Sequence, residues 1–204
     1  MIAVVDYGVG NLFSLCSSLR AIGAETVITA EKAQIRRADK IILPGVGAFG
    51  DAAEKLHSMG LDELLKEEAA SGKEILGICL GMQLLFDSSE EYGFHKGLGL
   101  LQGHIAAMQG RLPAELKIPH IGWNALCFHR EHRLLHGLRE GDCVYFVHSF
   151  YADGCEDSLI ASAEYGLAIP AIVGKDNVMG CQFHPEKSGK IGLRILRNFC
   201  EVAQ

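Results

Sequence analysis

One cysteine, Cys79, stands where a buried apolar run passes straight into a helical pattern, with a glycine two residues before it and another two residues after it (Gly77-Ile78-Cys79-Leu80-Gly81). The run EILGI, 74–78, reads as a buried strand, and LGMQLLF, 80–86, as the start of a helix. With no loop between them, strand and helix must nearly touch. Side chains at 77 and 81 would collide, so glycine is the residue that fits. A strand feeding directly into a helix is part of a βαβ unit, which commits the chain to an α/β architecture with a mostly parallel sheet. The same junction puts Cys79 at a helix N-terminus, where the dipole and free N–H groups favour a thiolate. The N–H of Leu80 points the same way and is available to a tetrahedral oxyanion. Cys79 therefore reads as a nucleophile rather than as a small buried hydrophobe.

The rest of the chain extends the alternation. MIAVVDY, 1–7, reads as a buried strand, and Asn11 caps a helix whose apolar positions are Leu12, Leu15, Cys16, Leu19 and Ile22, stopped by Gly23. Short strands are expected near 25–29 and at KIIL, 40–43, with a helical stretch over 51–71. From about 100 to 182 the pattern changes. IAAM, CVYFVHSF, SLIASAEY, AIPAIVG and NVMGCQF are short strands with no helices between them, an antiparallel or mixed extension. A last amphipathic helix over 188–202 turns Ile191, Ile195, Phe199 and Val202 inward. The expected fold is a mostly parallel central sheet flanked by helices, with that extension, in a single domain over 1–204.

Composition narrows the function. Nineteen basic against 25 acidic residues give a net charge of −6, which offers no electrostatic hold on nucleic acid or an anionic membrane. No apolar run approaches the roughly 18 residues of a membrane span, and the start MIAVVDYG lacks the basic region of a signal peptide. The seven cysteines are scattered and include no CxxC pair, so a disulfide framework and a zinc site are both disfavoured. Reduced thiols in the cytoplasm are the simple expectation.

Two further loops carry chemistry. GVGAFG, Gly45 to Gly50, matches GxGxxG between a strand and a helix, yet it follows the third strand, starts after Pro44, and has no acidic residue at the end of the next strand to take a ribose. Nicotinamide binding and a plain tight turn remain alternatives to a loop whose backbone N–H groups face an oxyanion. QFHPEKSG, 182–189, delivers His184 at the end of a strand. Pro185 holds His184 extended, and Glu186 can turn its carboxylate back onto the imidazole. A nucleophilic cysteine needs such a base and such an orienting acceptor. The other eight histidines (57, 95, 104, 120, 129, 132, 136 and 148) read mostly as surface residues.

Taken together, PGVGAF (44–49), GICLGMQLLF (77–86), YFVHSF (145–150) and QFHPEKSG (182–189) resemble the class I, or triad, glutamine amidotransferases, in order and spacing over nearly the whole chain. DYGVGNL (6–12), PHIGWN (119–124) and HPEKSG make the chain similar to the glutaminase subunits of imidazole glycerol phosphate synthases. Glutaminases of the pyridoxal phosphate or anthranilate synthase type are the alternative. The resemblance implies a flavodoxin-like amidotransferase fold, no cofactor, no metal and a Cys79–His184–Glu186 triad. It implies an oxyanion hole from the N–H groups of Val46 and Leu80; Gly45 has no Cβ, so the Gly45–Val46 peptide can rotate at small cost to turn the Val46 N–H inward when the partner docks. It gives glutamine as substrate, held by Gly47, Gln83 and the Ser149 backbone. It also implies a separate (βα)8-barrel cyclase chain, HisF, as heterodimer partner and receiver of the ammonia. Trp123, the single tryptophan, reads as an anchor of that interface or as a core residue. By resemblance Asn11 and Lys187 lie at the interface as well.

Overall fold

The computed structural model describes residues 1–201. In chain order the first elements are β1 (Ile2–Val5), α1 (Leu12–Ala21), β2 (Thr26–Thr29), α2 (Lys32–Arg37), β3 (Lys40–Leu43), α3 (Phe49–Ser58), α4 (Leu61–Ala70), β4 (Glu74–Ile78) and α5 (Leu80–Leu84). A run of strands follows: β5 (Phe86–Ser89), β6 (His95–Lys96), β7 (Leu101–Ala107), β8 (His120–Ala125), β9 (Cys127–Phe128), β10 (Cys143–His148), β11 (Phe150–Asp153), β12 (Leu159–Glu164), β13 (Ala168–Lys175) and β14 (Val178–Cys181), before the closing helix α6 (Gly189–Cys200).

The main sheet has the order β2-β1-β3-β4-β14-β13-β12-β9. Its first five strands are parallel, which is the 2-1-3-4-5 order of flavodoxin-like sheets. The last three turn antiparallel, the extension expected from the helix-poor second half. Short β-branched runs suit strands buried on both faces. Ile2 and Val4 point to the side covered by Leu15, Leu19, Ile195 and Phe199 of α1 and α6. Ala3 and Val5 point to the side covered by Phe49, Leu56, Leu61 and Leu65 of α3 and α4. A two-stranded ribbon, β10-β8, and a four-stranded sheet, β11-β7-β5-β6, stand beside this core.

Several expected boundaries shift. The stretch 51–71 is two helices, because Gly60 at φ 59° breaks it into α3 and α4. Helix α2 carries only Ile35 into the core, too little periodicity to read. The helix expected over 80–86 ends at Leu84, and Phe86 opens β5 instead. PHIGWN supplies strand β8, missed because its apolar Ile121 and Trp123 are exposed and its polar His120 is buried, and CVYFVHSF is two strands divided at Ser149. Helix α6 ends at Cys200; the inward position expected for Val202 lies outside the described residues.

An ionic cluster ties the end of α6 to the sheet. The Lys40 ammonium, buried at the base of β3, donates to the carbonyls of Phe199 and Glu201, both at 2.7 Å. Glu74 Oε2 pairs with Lys40 at 2.7 Å and with Arg133 at 2.8 Å. Burial raises the pKa of Glu74, but the two cations outweigh it and hold the carboxyl below its ordinary 4.5. A carboxylate with a depressed folded pKa stabilises the fold fully above its unfolded value and loses that contribution as pH falls through the folded one. Glu74→Gln is therefore expected to cost about 1–2 kcal/mol at pH 7. The difference should shrink on acidification below pH 4.5. Urea midpoints across pH check this, and equal midpoints at pH 7 would contradict it.

Candidate active site

Two parallel neighbours, β4 and β14, end side by side, with Ile78 in register with Cys181. Ligand sites in open α/β sheets form beyond such carboxyl ends. Cys79 leaves β4 there at φ 54°, ψ −111°, with its N–H donating to the Cys181 carbonyl at 2.8 Å. A non-glycine residue held so costs about 1–3 kcal/mol, and the surrounding packing must enforce it. The glycines show how. A Cβ on Gly81 would fall 1.8 Å from the Leu43 carbonyl oxygen, and one on Gly77 would fall 2.6 Å from the Gly81 oxygen. The junction therefore excludes side chains at both positions, as the sequence predicted. Leu80, the next residue, opens α5, whose first N–H groups have no upstream acceptor.

Beyond β14 the chain runs on through Gln182 and Phe183 to His184, extended at φ −97°, ψ 99° before Pro185. Its N–H donates to the Tyr145 carbonyl at 3.0 Å. Ser188 Oγ donates to the His184 carbonyl at 2.7 Å. His184 Nδ1 lies 2.8 Å from Glu186 Oε1. Because a carboxylate can only accept, Nδ1 carries the proton and Nε2 is left for the Cys79 sulfur. Burial pulls the His184 pKa down, but the hydrogen bonds with Cys79 and Glu186 outweigh it and raise the imidazole to about 9. The second Glu186 oxygen, Oε2, is buried with no hydrogen-bond partner, so no other donor competes with the imidazole for the carboxylate charge.

These groups open onto a cavity of about 420 Å3 lined by Val46, Gly47, Cys79, Leu80, Gln83 and His184, with Ser149, Lys187 and Glu91 also on its wall. A larger depression of about 570 Å3 beside α3 contains Asp51, His57 and Asp62 but no cysteine. Cys79, His184 and the oxyanion and substrate candidates from the sequence thus face one cavity, and Glu186 is not on its wall but reaches it through His184 Nδ1. Glycine at 45 is required for space: a Cβ there would lie 2.8 Å from both the Gly81 nitrogen and Tyr7 Oη. The left-handed residue of the loop is Gly47, at φ 100°. Close packing is thus a second reason for glycine at 45, beside the rotation expected there. Tyr7 Oη donates to the Pro44 carbonyl at 2.7 Å and fixes the start of the loop.

The interface candidates separate. Trp123 is 58% exposed on β8, edge-on to Tyr145 at 6.0 Å, which excludes the core reading. Lys187 is exposed on the wall of the cavity. Asn11 caps α1, its Oδ1 accepting from the Ser14 N–H at 3.4 Å. Phe13, at 84% exposure, stands on the same helix.

Three residues escaped the sequence reading. Glu91 is buried on the cavity wall, and its Oε2 accepts from the N–H of Phe49 at 2.6 Å, capping α3 where Ala48 offers no side chain. Burial pushes its pKa up. His120 and His148, expected at the surface, are buried at 2% and 6% exposure. Only tertiary pairing brings any of them to the site. The one local hint is the period-two placement of His148 with the apolar Val144 and Phe146 on β10.

A family model for class-I glutamine amidotransferases matches residues 3–203. The imidazole glycerol phosphate synthase subunit HisH of Bacillus velezensis is 51% identical over 207 residues, covering 100% of this chain and 97% of that protein. The subunit of the same description from Bacillus subtilis is 49% identical over 210 residues, with 100% and 97% covered. A crystal structure described as a glutamine amidotransferase shares the fold at TM-score 0.76 and 18% identity, over 98% of this chain and 97% of that one.

Proposed function

This chain belongs to the class-I glutamine amidotransferases, and on that premise we propose that it is the glutaminase subunit of an imidazole glycerol phosphate synthase. The observation that carries the chemistry is the strained Cys79 at a helix start, sharing a cavity with His184, whose Nδ1 is held by Glu186 at 2.8 Å. The subunit identity is supported by relatives at about half identity over the whole chain.

Cys79 thiolate attacks the side-chain carbonyl carbon of glutamine. The oxyanion that forms is held by the N–H groups of Leu80 and Val46. His184 gives its proton to the departing nitrogen, the C–N bond breaks, and ammonia and a γ-glutamyl thioester result. His184 then takes a proton from water, which attacks the thioester and releases glutamate. Glu186 holds the imidazole and stabilises its charged form. Gln83 Nε2 already donates to the Phe150 carbonyl at 3.1 Å and to Gln182 Oε1 at 3.0 Å. Its remaining oxygen is an acceptor, so with the Glu91 carboxylate it suits the substrate's α-ammonium group. Gly47 and the Ser149 backbone take the carboxylate end. No cofactor takes part.

Ammonia released into water at neutral pH becomes ammonium and is lost as a nucleophile. The chain therefore works with a separate (βα)8-barrel cyclase, HisF, docked over the cavity, in the cytoplasm. Asn11, Trp123 and Lys187 lie at that interface, with exposed aromatic surface as anchor. The barrel joins the ammonia to its ribonucleotide substrate, giving imidazole glycerol phosphate and AICAR for histidine synthesis.

Steady-state kinetics test this. The chain alone should hydrolyse glutamine poorly, and the complex with acceptor nucleotide should raise kcat about 100- to 1,000-fold, the worth of one oxyanion donor brought into place. Equal kcat in both would mean that the Val46 N–H is in place without the partner, and that docking does not complete the oxyanion hole. Failure of the mixed chains to make imidazole glycerol phosphate from glutamine, while ammonia supports it, would remove the glutaminase assignment.

A further inference from the structure

Two buried histidines outside the triad face each other across the β8–β10 ribbon, where His120 and His148 are register partners. His148 Nδ1 lies 2.9 Å from the Phe150 carbonyl oxygen, which can only accept, so Nδ1 carries the proton and Nε2 a lone pair. His120 Nδ1 lies 3.0 Å from that Nε2 and must therefore be its donor. The other His120 nitrogen, Nε2, is then an acceptor, and the Asn124 side-chain amide approaches it at 3.4 Å while also donating to the Glu164 carbonyl at 2.8 Å. His120 is clamped between Phe146 and Tyr165, with ring centroids 4.8 and 4.0 Å away. Every donor in the line points one way, from β8 toward the cavity. Burial pushes the pKa of His120 down to about 4 and that of His148 to about 3, so both rings stay neutral and the order of donors holds.

The line ends on a useful atom. Phe150 follows Ser149, the residue that links the ribbon to the four-stranded sheet and is outside both ladders. The Phe150 carbonyl accepts from His148 and also from Gln83 Nε2. Gln83 reaches in turn to Gln182 Oε1, and Gln182 Nε2 lies 3.9 Å from Cys79 Sγ. We propose that His148, oriented by His120, is a positioning residue for substrate: it fixes the Phe150 carbonyl, which fixes the Gln83 amide with its oxygen turned to the α-ammonium of glutamine. This rests on the glutaminase reading above. The role differs from that of the triad, since neither ring exchanges a proton with the reacting atoms.

The test uses the complex with the cyclase subunit and two substrates, L-glutamine and glutaramate, which is glutamine without its α-amino group. His148→Phe removes the donor and keeps a ring. It should raise KM for glutamine about five- to tenfold and lower kcat less than about threefold. The loss in kcat/KM should be much smaller with glutaramate. His148→Asn, whose amide can donate where Nδ1 did, should recover most of the glutamine KM. His120→Phe keeps the sandwich between Phe146 and Tyr165 but strips His148 of its donor, and it should shift KM in the same direction by less. That variant keeps the test informative if His148→Phe does not fold. Equal losses on both substrates, or a loss confined to kcat, would overturn the positioning role and leave the glutaminase reading intact. No glutamine hydrolysis by the unaltered complex would overturn that reading and this one with it.

Discussion

Cys79→Ser is expected to lower glutamine hydrolysis by at least about 1,000-fold while leaving ammonia-dependent synthesis by the complex unchanged. Serine keeps the size and the strained backbone but is a far weaker nucleophile at neutral pH. The geometry around it, Gly77 and Gly81 without room for a Cβ and a backbone bond to Cys181, does not depend on sulfur. The elbow should therefore survive, and with it the docking of the proposed cyclase, which free ammonia then supplies in place of glutamine. Measuring both activities on one variant separates the roles. Loss of the ammonia-dependent rate as well would make Cys79 a structural residue.

His184→Ala is expected to be about as damaging as Cys79→Ser, because nucleophile and base act as a unit and removing either removes the covalent route. The ring is raised to about 9, and that shift depends on Cys79 and Glu186 together. Glu186→Gln keeps an oxygen for the Nδ1 proton but loses the charge beside the imidazolium. Its effect should be smaller than that of His184→Ala by roughly one to two orders of magnitude. Glutaminase turnover of the three variants under one condition decides the matter. Glu186→Gln proving worse than His184→Ala would reverse the two roles.

How much of this was legible in the sequence follows from how local each constraint is. The elbow was legible because two glycines and a cysteine within five residues admit one geometry, now seen in the close approach of Gly81 to Leu43. The His184-Pro185-Glu186 pair was legible because proline fixes the backbone and the carboxylate is two residues from the ring. The parallel sheet followed from alternating periodicities, and the antiparallel extension from their loss. Short segments failed for the opposite reason. LGMQLLF is apolar throughout, so its period could not show that the helix stops at Leu84 and that Phe86 starts a strand. The break at Gly60 needed a left-handed φ that its flanking apolar pattern concealed. Glu91, His120 and His148 were invisible because each acquires its partner from a distant segment: Phe49 for Glu91, and the opposite strand of the ribbon for the two histidines. A buried polar side chain is marked in the sequence only by its apolar neighbours, and on β10 these read equally well as an ordinary core strand.

The central claim is that Cys79 alone among seven cysteines carries the γ-glutamyl group. The direct measurement is mass spectrometry of the complex after exposure to a glutamine-shaped chloroketone, with peptide mapping. The account predicts one adduct per chain, on Cys79, prevented by excess glutamine and absent in His184→Ala over the same interval. An adduct on another cysteine, or labelling of Cys79 that glutamine does not slow, would contradict it.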